Sequence, residues 1–480
     1  MKGIKWMLLS LLFSQGLLAQ DKVFKAGASR LDVTPFLGAG IVGNYGTPPP
    51  AENIHDPLFV KALVLDDGST RLAFVVVDNL GIYAHVAAKA KEQVAADAGI
   101  PVDQVLISAT HTHSGPSTGG QGELRRGWNY DKPLDEYQQF MVRKIADAVS
   151  VAVQNLRPAR IGAGAFLKPE HVFNRRWRVK KQVTSPLGFL DSAVMNPGHQ
   201  NPNLLEPAGP TDPEISFLAV ETTEGTPIAV FANYSLHYIG GVPSHDISAD
   251  YYGVFAKKIE KLLHAENQAI PFVGIMSNGT SGDINNINFA EKAEKYPPYA
   301  KMELVAGDIA NSLAAAYRTV EFKEWVRLKA KSTQLKLQVR KADEALLQNM
   351  EKIKQHQPAD PPLFHRLEST YLDRVTIHER EFPDNITIVL QAFSIGDVGI
   401  SSIPFEVFAE TGLELKEKVP FKKVFTVGIA NGYWGYLPTP RQHRLGGYET
   451  WLTSNKVQKD ATERIVSRLL AMFSELKDSK

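Results

Sequence analysis

Apolar residues in this chain fall into short runs of strand length, broken by glycine and proline and alternating with longer stretches of helical spacing. Early strands are predicted over 28–33, 58–65 and 71–77, with a Gly/Pro-rich loop over 38–50 between the first two. An Ala/Lys/Glu run over 85–98 has helical periodicity, is closed by Gly99, and leads into an apolar strand that begins at Val105. Strand, helix and strand in that order make a βαβ unit. A further helix is predicted over 136–156, and extended chain resumes over 161–166.

Residues 177–213 contain Pro186, Pro197, Pro202, Pro207 and Pro210, a density that predicts an irregular surface loop rather than regular elements. A hairpin over 215–220 and 228–234 then leads to His237, followed by a helix over 250–264 and a short buried strand over 272–276. The charged stretch 339–381 reads as a solvated helical excursion, because each helix has too narrow an apolar stripe for a core of its own. Strands over 386–393, 398–403 and 424–430 and a closing amphipathic helix over 456–476 complete the pattern. The expected fold class is α/β, a mixed β-sheet core flanked by helices, in one large domain over 20–480.

Bulk properties narrow the function classes. A formal charge of +1 on 480 residues leaves no concentrated basic surface for nucleic acid, so none is expected as a partner. Residues 1–19 read as a secretory signal: Lys2 and Lys5 precede a mostly apolar segment over 7–18 that ends in small residues. That segment is shorter than the roughly 20 residues that span a bilayer, so no transmembrane anchor is expected after cleavage. Its removal takes the charge from +1 to −1, and a secreted or periplasmic location follows. The chain has no cysteine, which excludes disulfides, thiolate-bound zinc and a thiol nucleophile.

The candidate chemistry sits at strand ends. In Val105 to Pro116, VLISATHTHSGP, His111 and His113 are two residues apart, and on an extended strand side chains at that spacing point the same way. Gly115 and Pro116 break the strand, which leaves the pair at its carboxyl end, where open α/β sheets bind ligands. A catalytic zinc takes three or more protein ligands and keeps one position open, so further donors are required. His237 follows an apolar run and precedes Gly240 and Gly241, the same context as His111. Glu406 follows a buried strand and Pro404, a place where a carboxylate must be paired or coordinated. The alternative for Glu406 is the acidic first turn of a helix running through Leu415. The loop Asn431 to Thr439, NGYWGYLPT, reads as the wall of a pocket, and residue reasoning selects no particular tyrosine in it.

Taken together, ATHTHSGP, Asn174-Arg175-Arg176, the strand-end His237, the turn NGTSGDINN over 278–286, IPFEV around Glu406, NGYWGY and Tyr448 resemble the neutral/alkaline ceramidase family. The resemblance begins at AGASRLDVTP and covers nearly all of the chain after the leader. It implies one zinc ion per chain held by His111, His237, Glu406 and Tyr436, with His113 and Tyr448 as catalytic groups beside the scissile carbonyl. It also implies that Arg175 and Asn285 contact substrate, and that the reaction is hydrolysis of an N-acyl lipid or other N-acyl small molecule by an activated water.

Two departures bear on the substrate. Asn285 stands where the family has a serine, and the sequence stops soon after the catalytic region, without the family's C-terminal immunoglobulin-like domain. Rival readings are a barrel-type metal-dependent amidohydrolase, disfavoured because the His pair follows several strands and no bridging lysine stands out, and a secreted lipid- or glycan-binding protein with a decayed site.

Overall fold

The computed structural model describes residues 22–43, 46–120, 127–357 and 360–478. The predicted leader, 1–19, lies outside the described residues.

Eight strands form one sheet in the order Val273–Asn278, Pro227–Tyr234, Glu214–Thr222, Arg157–Leu167, Lys25–Asp32, Phe59–Asp66, Arg71–Val77 and Val105–Ala109. Its interior pairs are antiparallel, and the outermost pair at each edge is parallel. A second sheet orders Leu328–Gln338, Asn385–Ile395, Val398–Ser402 and Lys423–Val427, again ending in a parallel pair. The two sheets pack face to face through residues such as Phe74, Phe231, Phe393 and Phe425, with the Phe74 and Phe393 rings 5.2 Å apart. The mixed sheet core is therefore a stacked pair.

Helices cover both outer faces. Helix Ala84–Ala98 buries Val86, Ala87, Ala90 and Val94 at helical spacing and stops at Gly99, whose φ of 66° is left-handed. It packs with helix Glu136–Gln154, which starts at an Asp135 and Gln138 capping box. Asp250–Leu262 and Ala300–Tyr317 cover the other half of the large sheet, and Ala461–Asp478 covers the small one. The result is a helix, sheet, sheet, helix sandwich. Among the described residues no helix is long and apolar enough to cross a membrane.

Several sequence expectations change. The segment over 177–213 is not irregular: it builds a three-stranded sheet from Leu204–Pro207, Arg176–Thr184 and Leu190–Met195. Pro186, Pro197 and Pro202 fall between its strands, Pro210 follows the last of them, and Pro207 ends an edge strand, where proline is tolerated. Glu406 is not in a helical first turn but in the short strand Glu406–Val407, with the following helix starting at Ala409. Helix Ala300–Tyr317 and strand Leu328–Gln338 were not anticipated from the pattern. The stretch over 339–381 contains two helices, Glu344–Gln355 and Glu368–Glu381. They bury Leu346, Met350, Tyr371 and Val375 against Leu187 and Leu452, with Tyr448 and Trp451 at the margin.

The carboxyl ends of the parallel pairs converge. Asn278 donates to Thr110 O at 3.2 Å, and Asn431 N–H donates to Ile107 O at 2.7 Å. Each candidate metal ligand follows one of these strand ends.

Candidate metal centre

The histidine pair is positioned by a turn, not by strand alternation. Its strand ends at Ala109, and His111 sits at φ 69°, in the left-handed region that non-glycine residues seldom enter. This conformation is held by the His111 N–H bond to Asn79 O at 2.9 Å. Leu80 O accepts the His111 Nδ1 proton at 2.6 Å, so Nε2 carries the lone pair. His113 Nε2 lies 3.3 Å from His111 Nε2, so the two rings do meet.

His237 repeats the device. Its Nδ1 proton goes to Ser281 O at 3.1 Å, again leaving Nε2 as the acceptor. Glu406 closes the group, with Oε2 at 3.5 Å from His111 Nε2 and 3.9 Å from His237 Nε2. The Glu406 strand pairs in parallel with Tyr436–Leu437, and Glu406 is the register partner of Tyr436. Tyr433 Oη donates to Glu406 Oε1 at 2.8 Å.

The donor set fits a divalent ion. Among the described residues, Glu406 Oε2 and His237 Nε2 are buried and have no hydrogen-bond partner. Ligands at 2.0–2.1 Å in a tetrahedron lie about 3.4 Å from one another, close to the separations around Glu406. His111, His113 and His237 also form a cluster whose ring nitrogens lie within 4.8 Å. Glu170, His171 and Asp308 form a second such group, but Lys168 Nζ already bonds both Asp308 oxygens, at 2.8 and 2.9 Å. That group is a salt-bridge network.

Burial dominates the electrostatics. It holds the His237 imidazole well below its ordinary pKa, with Arg175, His111 and His113 adding to the effect. His113 is likewise held neutral by burial, then by His111 and Arg175. Burial alone would raise Glu406, but His111, Arg175 and Tyr433 outweigh it and keep the carboxyl below the usual range. The Tyr436 phenol is raised by burial and by Glu406, with Arg175 opposing.

A second layer holds these groups. Arg175 is buried, bonds Glu449 Oε1 at 3.1 Å and Gly282 O at 2.8 Å, and lies 5.3 Å from the centre of the Tyr436 ring. Asp283 accepts from Asn174 Nδ2 and from Ala409 N–H, both at 2.8 Å, and so ties the NRR segment to the Glu406 loop. Burial pushes its carboxyl up to about 7. Gly282 is required by close approach, since a Cβ there would lie 2.4 Å from Glu406 O. The Asn285 amide donates to Asn196 Oδ1 and accepts from Ile287 N–H, each at 2.9 Å. Tyr448 lies 5.4 Å from Tyr436, ring to ring.

Residue reasoning missed four supports. Tyr433 was one of several aromatics in its loop, Glu449 follows Tyr448 with no distinguishing context, Asp283 was absorbed into a polar turn, and Tyr238 was passed over. Tyr238 stacks on His113 at 3.9 Å between ring centres. Only Asp283, an acid in a run of small polar residues, carried a usable signal.

The profile of the neutral/alkaline non-lysosomal ceramidase N-terminal region matches residues 24–295, more than half of the 480-residue chain. Among solved structures, neutral ceramidase from Pseudomonas aeruginosa superposes with a TM-score of 0.68 at 18% identity, covering 95% of this chain and 75% of that one. A structure described as ceramidase complexed with C2 superposes at 0.66 with 17% identity, covering 95% and 76%. These likenesses confirm the mixed α/β fold. With the profile match over the His111 and His237 segments, the chain belongs to the neutral/alkaline non-lysosomal ceramidase family.

Proposed function

We propose that this protein is a secreted, zinc-dependent hydrolase that cleaves the amide bond of a ceramide-like or other N-acyl substrate. One observation carries the reading: His111 Nε2 and His237 Nε2, each left as an acceptor by its Nδ1 bond, converge on a buried carboxylate oxygen of Glu406 that has no hydrogen-bond partner. Family membership supports hydrolysis of an amide, and a relative complexed with C2 supports a lipid substrate.

In this reading His111, His237, Glu406 and Tyr436 hold the ion. Zinc, when bound, supplies Lewis acidity and lowers the pKa of a coordinated water to about 7. Tyr433 orients Glu406 so that Oε2 faces the centre, and Leu80 O and Ser281 O fix the two imidazole tautomers. Arg175 sits against Tyr436, and its charge favours the phenolate form.

His113 is held neutral, so it accepts a proton from the attacking water and returns it to the leaving nitrogen. Tyr238, stacked on its ring, and Gly43, where a Cβ would lie 2.6 Å from His113 Cγ, keep the imidazole in one orientation. Tyr448 donates its phenolic hydrogen to the carbonyl oxygen as negative charge develops there. Arg175 and Asn285 shape the substrate side, Asn285 through its hold on Asn196.

The test is hydrolysis of a short-chain ceramide, an N-acylethanolamine and an acetylated amino sugar by zinc-loaded and chelator-treated protein. Turnover of at least one substrate, lost on chelation and restored by zinc, is expected. Undiminished hydrolysis after complete metal removal would overturn the reading.

A further inference from the structure

Beside the tyrosine loop stands a group of cations that the hydrolytic reading does not use. Gly435, at φ 85°, immediately precedes Tyr436, and a Cβ on it would lie 3.3 Å from Lys456 Nζ. The chain returns alongside this loop, with Asn455 bridged to Gly435 and Ser454 O accepting the Tyr436 N–H at 3.0 Å. Lys456 is half-buried, and among the described residues its ammonium has no hydrogen-bond or ion-pair partner. The charges that act on it are Arg374, a second cation, and Glu406, which the centre already employs.

Arg340 adds a third positive charge. Its main-chain N–H donates to Lys456 O at 2.9 Å, and its guanidinium bonds the neutral acceptors Thr450 O at 2.8 Å and Asn455 Oδ1 at 2.9 Å. A half-buried ammonium with no counter-charge bonded to it is open to a ligand anion, with which it forms a short, charge-assisted bond. Lys456 also shares its chain segment with Tyr448, which packs against Tyr436. The Lys456 ammonium is near enough to this group to feel the Glu406 carboxylate.

We propose that Lys456 is a specificity-determining residue that takes an anionic oxygen group carried by the substrate, so that acidic N-acyl compounds are preferred over neutral ones. The inference deepens the amide-hydrolase reading and rests on it for turnover, though not for binding.

Three probes of equal acyl length separate the possibilities: N-dodecanoyl-ethanolamine, its sulfonate analogue N-dodecanoyl-aminoethanesulfonate, and an ethanolamide whose acyl chain ends in a carboxylate. Calorimetric binding and hydrolysis are both read on the zinc-loaded protein. At least one charged probe should bind about tenfold more tightly than the neutral probe, and Lys456→Met should erase that preference. Lys456→Arg should keep most of it, which guards against a folding defect in the Met variant. Lys422→Met, at an exposed site paired with Asp397, should retain it in full.

Which charged probe is favoured tells whether the anion belongs to the amine or to the acyl portion. Equal binding of all three probes by the unaltered protein, or a preference that survives Lys456→Met, overturns the proposal. Turnover is read separately, since the chelation test above decides the hydrolase reading while the binding preference decides the role of Lys456.

Discussion

His111 and His237 face the same point because each commits its Nδ1 proton to a main-chain carbonyl, Leu80 O in one case and Ser281 O in the other. Alanine at 237 removes one acceptor outright, and Glu406→Gln replaces the unpartnered oxygen's charge with a neutral amide. Either change should bring bound zinc well below one ion per chain, measured by plasma emission on purified protein, and abolish turnover. Tyr433→Phe is subtler, since it frees Glu406 Oε1 while leaving every proposed ligand in place. A loss of about 10- to 100-fold in zinc affinity or activity is expected, as for other outer partners of metal ligands. At this scale the sequence exposed the histidines through their strand-then-breaker context. It did not expose the tyrosines, because Tyr433, Tyr436 and Trp434 look alike until the chain pairing places Tyr436 beside Glu406.

Between elements, the centre depends on short pairings that carry little pattern of their own. The two-residue ladder of Glu406–Val407 with Tyr436–Leu437 sets two proposed ligands side by side, and no periodicity argument finds a strand that short. The histidine pair misled in the same way: its spacing suggested strand alternation, whereas a left-handed turn at His111 does the work after the strand has ended. Proline density misled over 177–213 because the prolines punctuate a small sheet rather than replace it. The turn at Gly282 offers a direct check on this scale. Gly282→Ala forces a Cβ into the Glu406 carbonyl and should lower stability by about 1–3 kcal/mol, read by thermal unfolding. An unchanged melting temperature would mean that the turn and the Glu406 loop are not pressed together.

Across the whole molecule, the βαβ unit, the hairpin before His237 and the capped helices were legible because each is a local pattern. The sorting of strands into two stacked sheets was not, since strands buried between layers read as the same apolar runs whichever sheet they join. The buried Asp283 carboxyl ties the segment at Asn174 to the Glu406 loop at a cost that depends on pH. Asp283 is pushed up to about 7 by burial, so the folded state binds its proton more tightly than the unfolded chain does. Its contribution is greatest below the ordinary carboxylate pKa and is lost as pH rises from about 4 through about 7. In metal-free protein, Asp283→Asn should therefore show a smaller fall in melting temperature between pH 5 and 8 than the unaltered chain. Identical pH profiles would contradict the burial-driven shift.

The proposed function needs one ion held by ligands drawn from both sheets and their connecting loops. Anomalous diffraction at the zinc edge, on crystals of the zinc-loaded protein, tests this most directly. A single strong peak is predicted, about 2.0–2.2 Å from His111 Nε2, His237 Nε2, Glu406 Oε2 and the Tyr436 phenolic oxygen. A peak at Glu170, His171 and Asp308, or none near His111, would contradict it.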